Sequence, residues 1–169
     1  AQQAKLAASR VAVLGLGGLG GGVSEMLARI GGGHLTLIDG DVFDASNLNR
    51  QLLCTEDLVG TSKAGAAEKR IQAVNSTVQV TAVHQYADSD TLYDMIKDCD
   101  LVVDCLDSIS TGFMLQAVAK KVQIPLVAGA IAGELKAEKL ILLTDVAGVQ
   151  DQDGRLLTTI HREELEALI

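Results

Sequence analysis

A glycine-rich segment directly after a short apolar run limits the folds open to this chain more than any other feature. The apolar run is Val11–Leu14, and apolar residues recur at helical spacing from Val23 to Ile30. Between them lie the glycines Gly15, Gly17, Gly18 and Gly20. Glycine permits a tight turn and a close backbone approach, and a helix N-terminus offers N–H groups and a positive dipole to a phosphate. The segment therefore predicts a strand, a phosphate-binding turn and a helix.

Strand-like and helix-like segments alternate along the rest of the chain. Further strands are predicted by apolar runs at residues 34–38, 78–83, 101–104, 126–128 and 140–143. Helical patterns lie at residues 61–74, 90–97, 108–122 and 163–169. This alternation predicts an α/β fold, a doubly wound (Rossmann-like) and mostly parallel sheet of about six strands with helices on both faces. Ligands bind such a sheet at the carboxyl ends of its strands.

The composition favours one compact domain. The chain has 169 residues, of which 48% are hydrophobic and only 2% aromatic. Its core must therefore consist of Val, Leu, Ile and Ala, as in buried parallel strands and the helices that cover them. No linker interrupts the pattern, and we expect one nucleotide-binding domain over residues 1–169.

The charge and the cysteines argue against some classes of partner and of metal or disulfide site. The net charge is −8 and no Lys/Arg cluster exceeds a pair, so we expect neither a nucleic acid nor an anionic membrane as partner. Residues 1–10 are polar and no apolar run approaches a membrane span, which favours a cytoplasmic protein. The cysteines are odd in number and lack C-x-x-C spacing, which argues against a disulfide framework and a zinc site.

An acidic residue follows the second predicted strand. Asp39 lies 19 residues after Gly20, where a carboxylate can accept hydrogen bonds from ribose hydroxyls. Up to this point an NAD-dependent dehydrogenase fits as well as any other nucleotide-binding protein.

The polar segment after Asp39 separates these interpretations. Residues 39–51 read Asp-Gly-Asp-Val-Phe-Asp-Ala-Ser-Asn-Leu-Asn-Arg-Gln, and Lys63 follows in Gly-Thr-Ser-Lys-Ala. A dehydrogenase does not need these residues. Arg50 and Lys63, expected at the surface beside the glycine turn, would neutralise a triphosphate and the charge that develops during adenylyl transfer. Asn47 and Gln51 would add neutral hydrogen bonds, whereas other basic residues such as Arg70 are interpreted as solvated surface charges.

Several linked motifs resemble the MoeB/ThiF family of adenylating enzymes, relatives of the ubiquitin-activating enzymes, over residues 1 to about 130. They are the glycine turn, Asp39-x-Asp41, residues 46–51, Lys63 and Asp104-Cys-Leu-Asp107, in the same order and spacing. The resemblance implies ATP and Mg²⁺ as cofactors and an acyl adenylate formed on the C-terminal carboxylate of a ubiquitin-like sulfur-carrier protein. A homodimer is a further expectation.

The resemblance also implies roles for individual residues. Asp39 would bind ribose, while Asn47, Arg50 and Lys63 would contact the ATP phosphates. Asp107 would hold Mg²⁺. Arg50, Lys63 and Asp107 would then be the catalytic residues, and the other cofactor-binding residues would be the four glycines, Asp41 and Gln51.

Two of these carboxylates have simpler interpretations. Asp107 lies just beyond the fourth predicted strand, at the same sheet edge as the glycine turn, where a carboxylate oxygen could meet Mg²⁺. It could instead cap the helix that begins near Ser108. Asp41 could assist the metal or only end its strand.

The resemblance stops near residue 130. From about residue 133 the chain resembles a fragment of an amino-acid kinase of the acetylglutamate kinase sort, so we expect a hybrid or engineered chain. Residues 139–143 would add a sixth strand and residues 163–169 a covering helix. The family's N-terminal arginine segment and its C-terminal zinc and thiol elements have no match in this sequence. An alternative function is therefore a non-catalytic nucleotide-binding scaffold.

Overall fold

The predicted alternation of strands and helices is present in the computed structural model of the protein, which describes residues 2–128. Its strands are β1 (Arg10–Leu14), β2 (His34–Ile38), β3 (Gln79–Val83), β4 (Leu101–Asp104) and β5 (Leu126–Ala128). Its α-helices are α1 (Gln2–Ala8), α2 (Gly18–Arg29), α3 (Lys63–Val74), α4 (Leu92–Ile96) and α5 (Ile109–Val122). Two short 3-10 helices, Ala45–Asn47 and Glu56–Leu58, lie between β2 and α3.

The five strands form one parallel sheet in the order β3-β2-β1-β4-β5. The chain moves outward from β1 through β2 to β3, then crosses over to β4 and β5. The strand order therefore reverses between β1 and β4, which is the point where doubly wound sheets bind ligands. Leu14 at the end of β1 is in register with Ile38 on one side and with Asp104 on the other. The residues that follow these three positions share one edge of the sheet.

Alternate residues of each strand point to opposite sides of the sheet. Helices cover both of the resulting faces. Val13 and Leu37 pack in one core with residues of α2 and α3, including Ala28 and Ile71. Ala12, Leu14 and Val102 pack in the other core with residues of α4 and α5, such as Leu92, Ile96 and Leu115. The doubly wound α/β fold predicted from the sequence is confirmed.

An ion-pair cluster joins the two helices on the first face. Glu25 of α2 is buried and accepts hydrogen bonds from Arg29 of the same helix and from Arg70 of α3. The guanidinium of Arg70, followed by that of Arg29, lowers the pKa of Glu25 to about 2. Arg70 is exposed, as the sequence analysis expected, but its pairing with Glu25 was not predicted.

The sequence analysis did not predict the first helix, but it placed the ends of α3, α4 and α5 within two residues of those observed. Helix α1 has no buried residues and hence no apolar periodicity that could reveal it. It is held partly by Gln3, whose side-chain amide donates to the carbonyl of Ile30. The predicted sixth strand and terminal helix lie outside the described residues. Within residues 2–128, every helix is too short or too polar to cross a bilayer.

Candidate functional site

The glycine turn lies at the point where the strand order reverses. The N–H of Gly15 donates to the carbonyl of Ile38 at 2.9 Å, and Gly15 has a φ of +84°. A Cβ on Gly20 would come within 1.8 Å of the carbonyl oxygen of Gly15, so only glycine fits there. Gly17 is the N-cap residue of α2 and Gly18 its first residue. The turn therefore presents the N–H groups of the first turn of α2 at the carboxyl edge of the sheet.

Asp39 braces this turn directly. Its Oδ2 accepts a hydrogen bond from the N–H of Leu16 at 2.7 Å, and its Oδ1 accepts one from the N–H of Asp41 at 2.8 Å. An ionised carboxylate has about four acceptor positions, so these two bonds leave capacity for hydroxyl donors. The sequence suggested only the ribose role, whereas the structure adds this bracing role.

Asn47 lies in a capping box with Asp44. Its Oδ1 accepts from the backbone N–H of Asp44 at 3.0 Å, and the side chain is buried. This arrangement fixes the 3-10 helix Ala45–Asn47 and thereby the residues that follow it. The structure therefore gives Asn47 a local structural role, and its contact with phosphate stays a prediction.

Arg50 and Gln51 lie against the glycine turn. The carbonyl oxygen of Arg50 would be 3.4 Å from a Cβ on Gly18, and Nε2 of Gln51 would be 3.6 Å from one on Gly17. Arg50 Nη1 donates to the carbonyl of Ser46 and to Oδ1 of Asn49. Gln51 is buried, and its Oε1 has no hydrogen-bond partner among residues 2–128. A buried acceptor of this kind favours a donor from a ligand, because an unsatisfied buried polar atom costs free energy.

Lys63 is buried, contrary to the expectation that it lies at the surface. Its Nζ is 2.9 Å from Oδ2 of Asp41, with 9% of the lysine side chain and 48% of the aspartate side chain exposed. Lys63 is the first residue of α3, whose N-cap, Ser62, accepts from the N–H of Gly65. A cation at a helix N-terminus is unfavourable next to the helix dipole, and Asp41 offsets that repulsion.

Tyr86 completes this group and was not identified from the sequence. Its hydroxyl donates to Oδ1 of Asp41 at 2.6 Å. This hydrogen bond, followed by the contact with Lys63, lowers the pKa of Asp41. The ring lies on Gly40, where a Cβ would come within 2.6 Å of its Cγ. No motif contains Tyr86, and its only sequence signal is an aromatic residue in a chain with 2% aromatics.

The turn between β4 and α5 contributes two carboxylates. Asp104 is partly buried, which raises its pKa, and its Oδ1 accepts from the N–H of Leu106 at 3.0 Å. Asp107 is exposed. The N-cap of α5 is Ser108, whose Oγ accepts from the N–H of Thr111. The interpretation of Asp107 as the cap of this helix is therefore wrong.

The cysteines near the site are poor nucleophiles. Burial, with a smaller contribution from the charge of Asp104, raises the pKa of Cys105 to about 12. Burial also raises the pKa of Cys54. Because the thiolate is the reactive form, both thiols are unreactive near neutral pH. Among residues 2–128, no cluster of three or more His, Cys, Asp or Glu is arranged to hold a metal ion.

Comparisons with known proteins identify relatives of this site. The model of the ThiF family matches residues 1–137. The SAMP-activating enzyme E1 of Haloferax volcanii is 40% identical over 129 residues, which cover 76% of this chain and 48% of that protein. The sulfur carrier protein ThiS adenylyltransferase of Bacillus subtilis is 38% identical over 133 residues, covering 78% of this chain and 40% of that protein. The chain thus spans about half the length, or less, of these relatives.

Solved structures show the same architecture. The E. coli tRNA N6-threonylcarbamoyladenosine dehydratase TcdA, crystallised in complex with ATP, superposes with a TM-score of 0.73 and 28% identity over 90% of this chain and 72% of that chain.

The model of the amino acid kinase family matches residues 126–169, a segment that lies almost entirely outside the described residues.

Proposed function

We propose, since this chain belongs to the ThiF family, that it binds ATP and transfers the adenylyl group to the C-terminal carboxylate of a ubiquitin-like sulfur-carrier protein. The observation that carries the proposal is the Lys63–Asp41 pair at the same sheet edge as the glycine turn and Asp39. This edge combines phosphate-binding N–H groups, a ribose-binding carboxylate and a lysine charge. Two relatives, by their names, activate SAMP and adenylylate ThiS.

Each residue would act on a separate part of the nucleotide. Asp39 would accept hydrogen bonds from ribose hydroxyls, and the turn from Gly15 to Gly20 would donate N–H groups to phosphate oxygens. Arg50 and Lys63 would stabilise the charge that develops on the phosphates during transfer. Gln51 would accept a hydrogen bond through Oε1, which has no such partner within residues 2–128.

The reaction is a substitution at the α-phosphorus of ATP. A carboxylate oxygen of the carrier forms a bond to that phosphorus. The bond between the α-phosphorus and the bridging oxygen breaks, and pyrophosphate leaves with its electron pair. The products are an acyl adenylate and pyrophosphate.

The β4–α5 turn fits a magnesium ion that arrives with the nucleotide. Mg²⁺ is usually held by one or two carboxylates together with phosphate oxygens, and the exposed Asp107 supplies one such carboxylate. The ion, when bound, neutralises phosphate charge and orients the leaving pyrophosphate.

Two measurements test this function on the full 169-residue chain. MgATP should raise the melting temperature more than NAD does, because a ligand that binds only the folded state stabilises it. Equal or greater stabilisation by NAD would contradict the assignment. ATP–pyrophosphate exchange should appear when Bacillus subtilis ThiS is added as the carrier. ATP binding without exchange would favour the alternative of a nucleotide-binding scaffold without turnover.

The alternative rests on the C-terminal segment. Residues 126–169 match a different family, the amino acid kinase family. We propose that the chain is a hybrid in which residues 131–169 complete the domain with a strand and a terminal helix. Limited proteolysis tests this, because an integrated tail resists cleavage near residue 130 whereas an appended one is released.

We further propose that two copies of the chain associate through α2. Leu19 and Met26 of this helix and Ile30, its C-cap residue, follow one another at helical spacing, and each is more than half exposed. Such a stripe of apolar residues is typical of helix–helix contacts between subunits. Light scattering should show a dimer for the wild type and a monomer for Met26→Glu, and a wild-type monomer would contradict this proposal.

A further inference from the structure

We infer that Tyr86 is a positioning residue for the phosphate-binding lysine, acting through Asp41; this inference rests on the proposed function. The hydroxyl of Tyr86 and the ammonium of Lys63 occupy the two different oxygens of the Asp41 carboxylate, at 2.6 Å and 2.9 Å. The three side chains come from three separate segments of the chain. We call them the tyrosine relay.

The tyrosine relay fixes the orientation of the Asp41 carboxylate. The terminal torsion of an aspartate is broad, so one ion pair does not fix the plane of its carboxyl group. A second hydrogen bond to the other oxygen does. With Oδ1 held by Tyr86, Oδ2 stays aimed at Lys63, and the ammonium is kept at one place beside the sheet edge.

The backbone around Asp41 supports this arrangement. The N–H of Lys63 donates to the carbonyl of Asp41, and the N–H of Asp41 donates to the carboxylate of Asp39. Gly40 leaves the space that the Tyr86 ring occupies. The relay is thus connected both to the start of α3 and to the carboxylate that braces the glycine turn.

The high exposure of Tyr86 argues for a positioning role of its hydroxyl and against a packing role of its ring. Tyr86 is 68% exposed, so its ring contributes little buried area to the fold. Its hydroxyl nonetheless makes a short hydrogen bond to a charged group, which is stronger than one to a neutral group. Removing the hydroxyl alone should therefore alter the placement of Lys63 more than the stability of the protein.

The first test compares ATP with adenosine in Tyr86→Phe. Because Lys63 acts on phosphates, the variant should weaken ATP binding about three- to tenfold and change adenosine binding less than twofold. In a Lys63→Met background, Tyr86→Phe should have no further effect, since the relay then has nothing to position. The matched control is Tyr93→Phe, which removes a hydroxyl without a hydrogen-bond partner among residues 2–128 and keeps the ring near Lys97. It should leave both affinities unchanged.

The outcomes separate this inference from the proposed function. If the wild type bound ATP no more tightly than adenosine, the proposed function would be contradicted. If the wild type preferred ATP to adenosine and Tyr86→Phe kept that preference, the inference about Tyr86 would be wrong. It would also be wrong if Tyr86→Phe weakened ATP binding as much in the Lys63→Met background as in the wild type. An equal loss of ATP and adenosine would show a merely structural tyrosine.

A spectroscopic test needs no nucleotide. The chain has two tyrosines and no tryptophan, so in Tyr93→Phe the absorbance of Tyr86 can be followed alone. The hydrogen bond to Asp41 raises the pKa of Tyr86 above its ordinary value. When Asp41→Asn is added to Tyr93→Phe, the phenol of Tyr86 should ionise at a lower pH than in Tyr93→Phe alone. An unchanged titration would contradict the relay, whatever the chain does with ATP.

Discussion

Replacing Lys63 by methionine tests the centre of the proposed site. Methionine keeps most of the apolar stem of lysine and removes the ammonium that lies 2.9 Å from Asp41. Breaking a fully buried ion pair costs about 3 to 5 kcal/mol, whereas an exposed pair contributes about 0 to 1 kcal/mol. Here the lysine side chain is 9% exposed and that of Asp41 is 48% exposed. The remaining carboxylate therefore stays partly hydrated and bonded to Tyr86, and we expect a loss of about 1 kcal/mol in the free energy of unfolding.

The effect on nucleotides should depend on the phosphates. Loss of a charged hydrogen bond to phosphate should weaken ATP binding by about 1 to 3 kcal/mol, or roughly 5- to 150-fold. Adenosine, which has no phosphates, should bind almost as before. Isothermal titration calorimetry with both ligands measures the contrast, and urea unfolding measures the stability.

The matched control is Lys69→Met on the same helix, where the lysine is exposed. It removes one positive charge from α3 without touching the site, so it should leave ATP binding within twofold of wild type. If Lys63→Met weakened adenosine and ATP equally, or if Lys69→Met weakened ATP as much as Lys63→Met, the argument for a phosphate-binding lysine would fail.

Three further changes test other parts of the structure. Asp107→Ala should weaken ATP binding only when Mg²⁺ is present, so an equal loss in EDTA would exclude a role through the metal. Glu25→Gln should destabilise the fold by about 1 to 2 kcal/mol at neutral pH, with the exposed Glu56→Gln as control. The pKa of Glu25 falls from 4.5 to about 2 on folding, so this stabilisation is present above pH 4.5 and is lost as the pH falls toward 2. Acid titrations of unfolding should therefore converge for wild type and Glu25→Gln below about pH 2, and parallel curves would contradict the pairing. Gly20→Ala should prevent folding or destabilise it severely because its Cβ would overlap a backbone carbonyl, whereas Gly22→Ala, with open space around the new Cβ, should stabilise α2 by about 0.5 to 1 kcal/mol. Thermal melts of the two variants should thus move in opposite directions.

The sequence predicted the sheet and the glycine turn because their signals are local. Apolar runs locate β4 and β5 at the residues found, and the glycines between Gly15 and Gly20 are required by the backbone itself. The cap of α5 is equally local, but the sequence analysis offered Asp107 for it, whereas the structure has Ser108. Helix α1 escaped prediction because it buries no side chain and so has no periodic pattern.

The sequence by itself therefore determined which segments form strands, where the glycine turn lies and which polar residues follow it. Only the tertiary structure decided how those polar side chains pair. Lys63 and Asp41 are 22 residues apart, Tyr86 and Asp41 are 45 apart, and Arg70 and Glu25 are 45 apart. Local propensity specifies the conformation of each segment but carries no information about such partners. They meet because parallel pairing aligns the ends of β2 and β3 and because α3 packs against α2, which is a property of the assembled sheet.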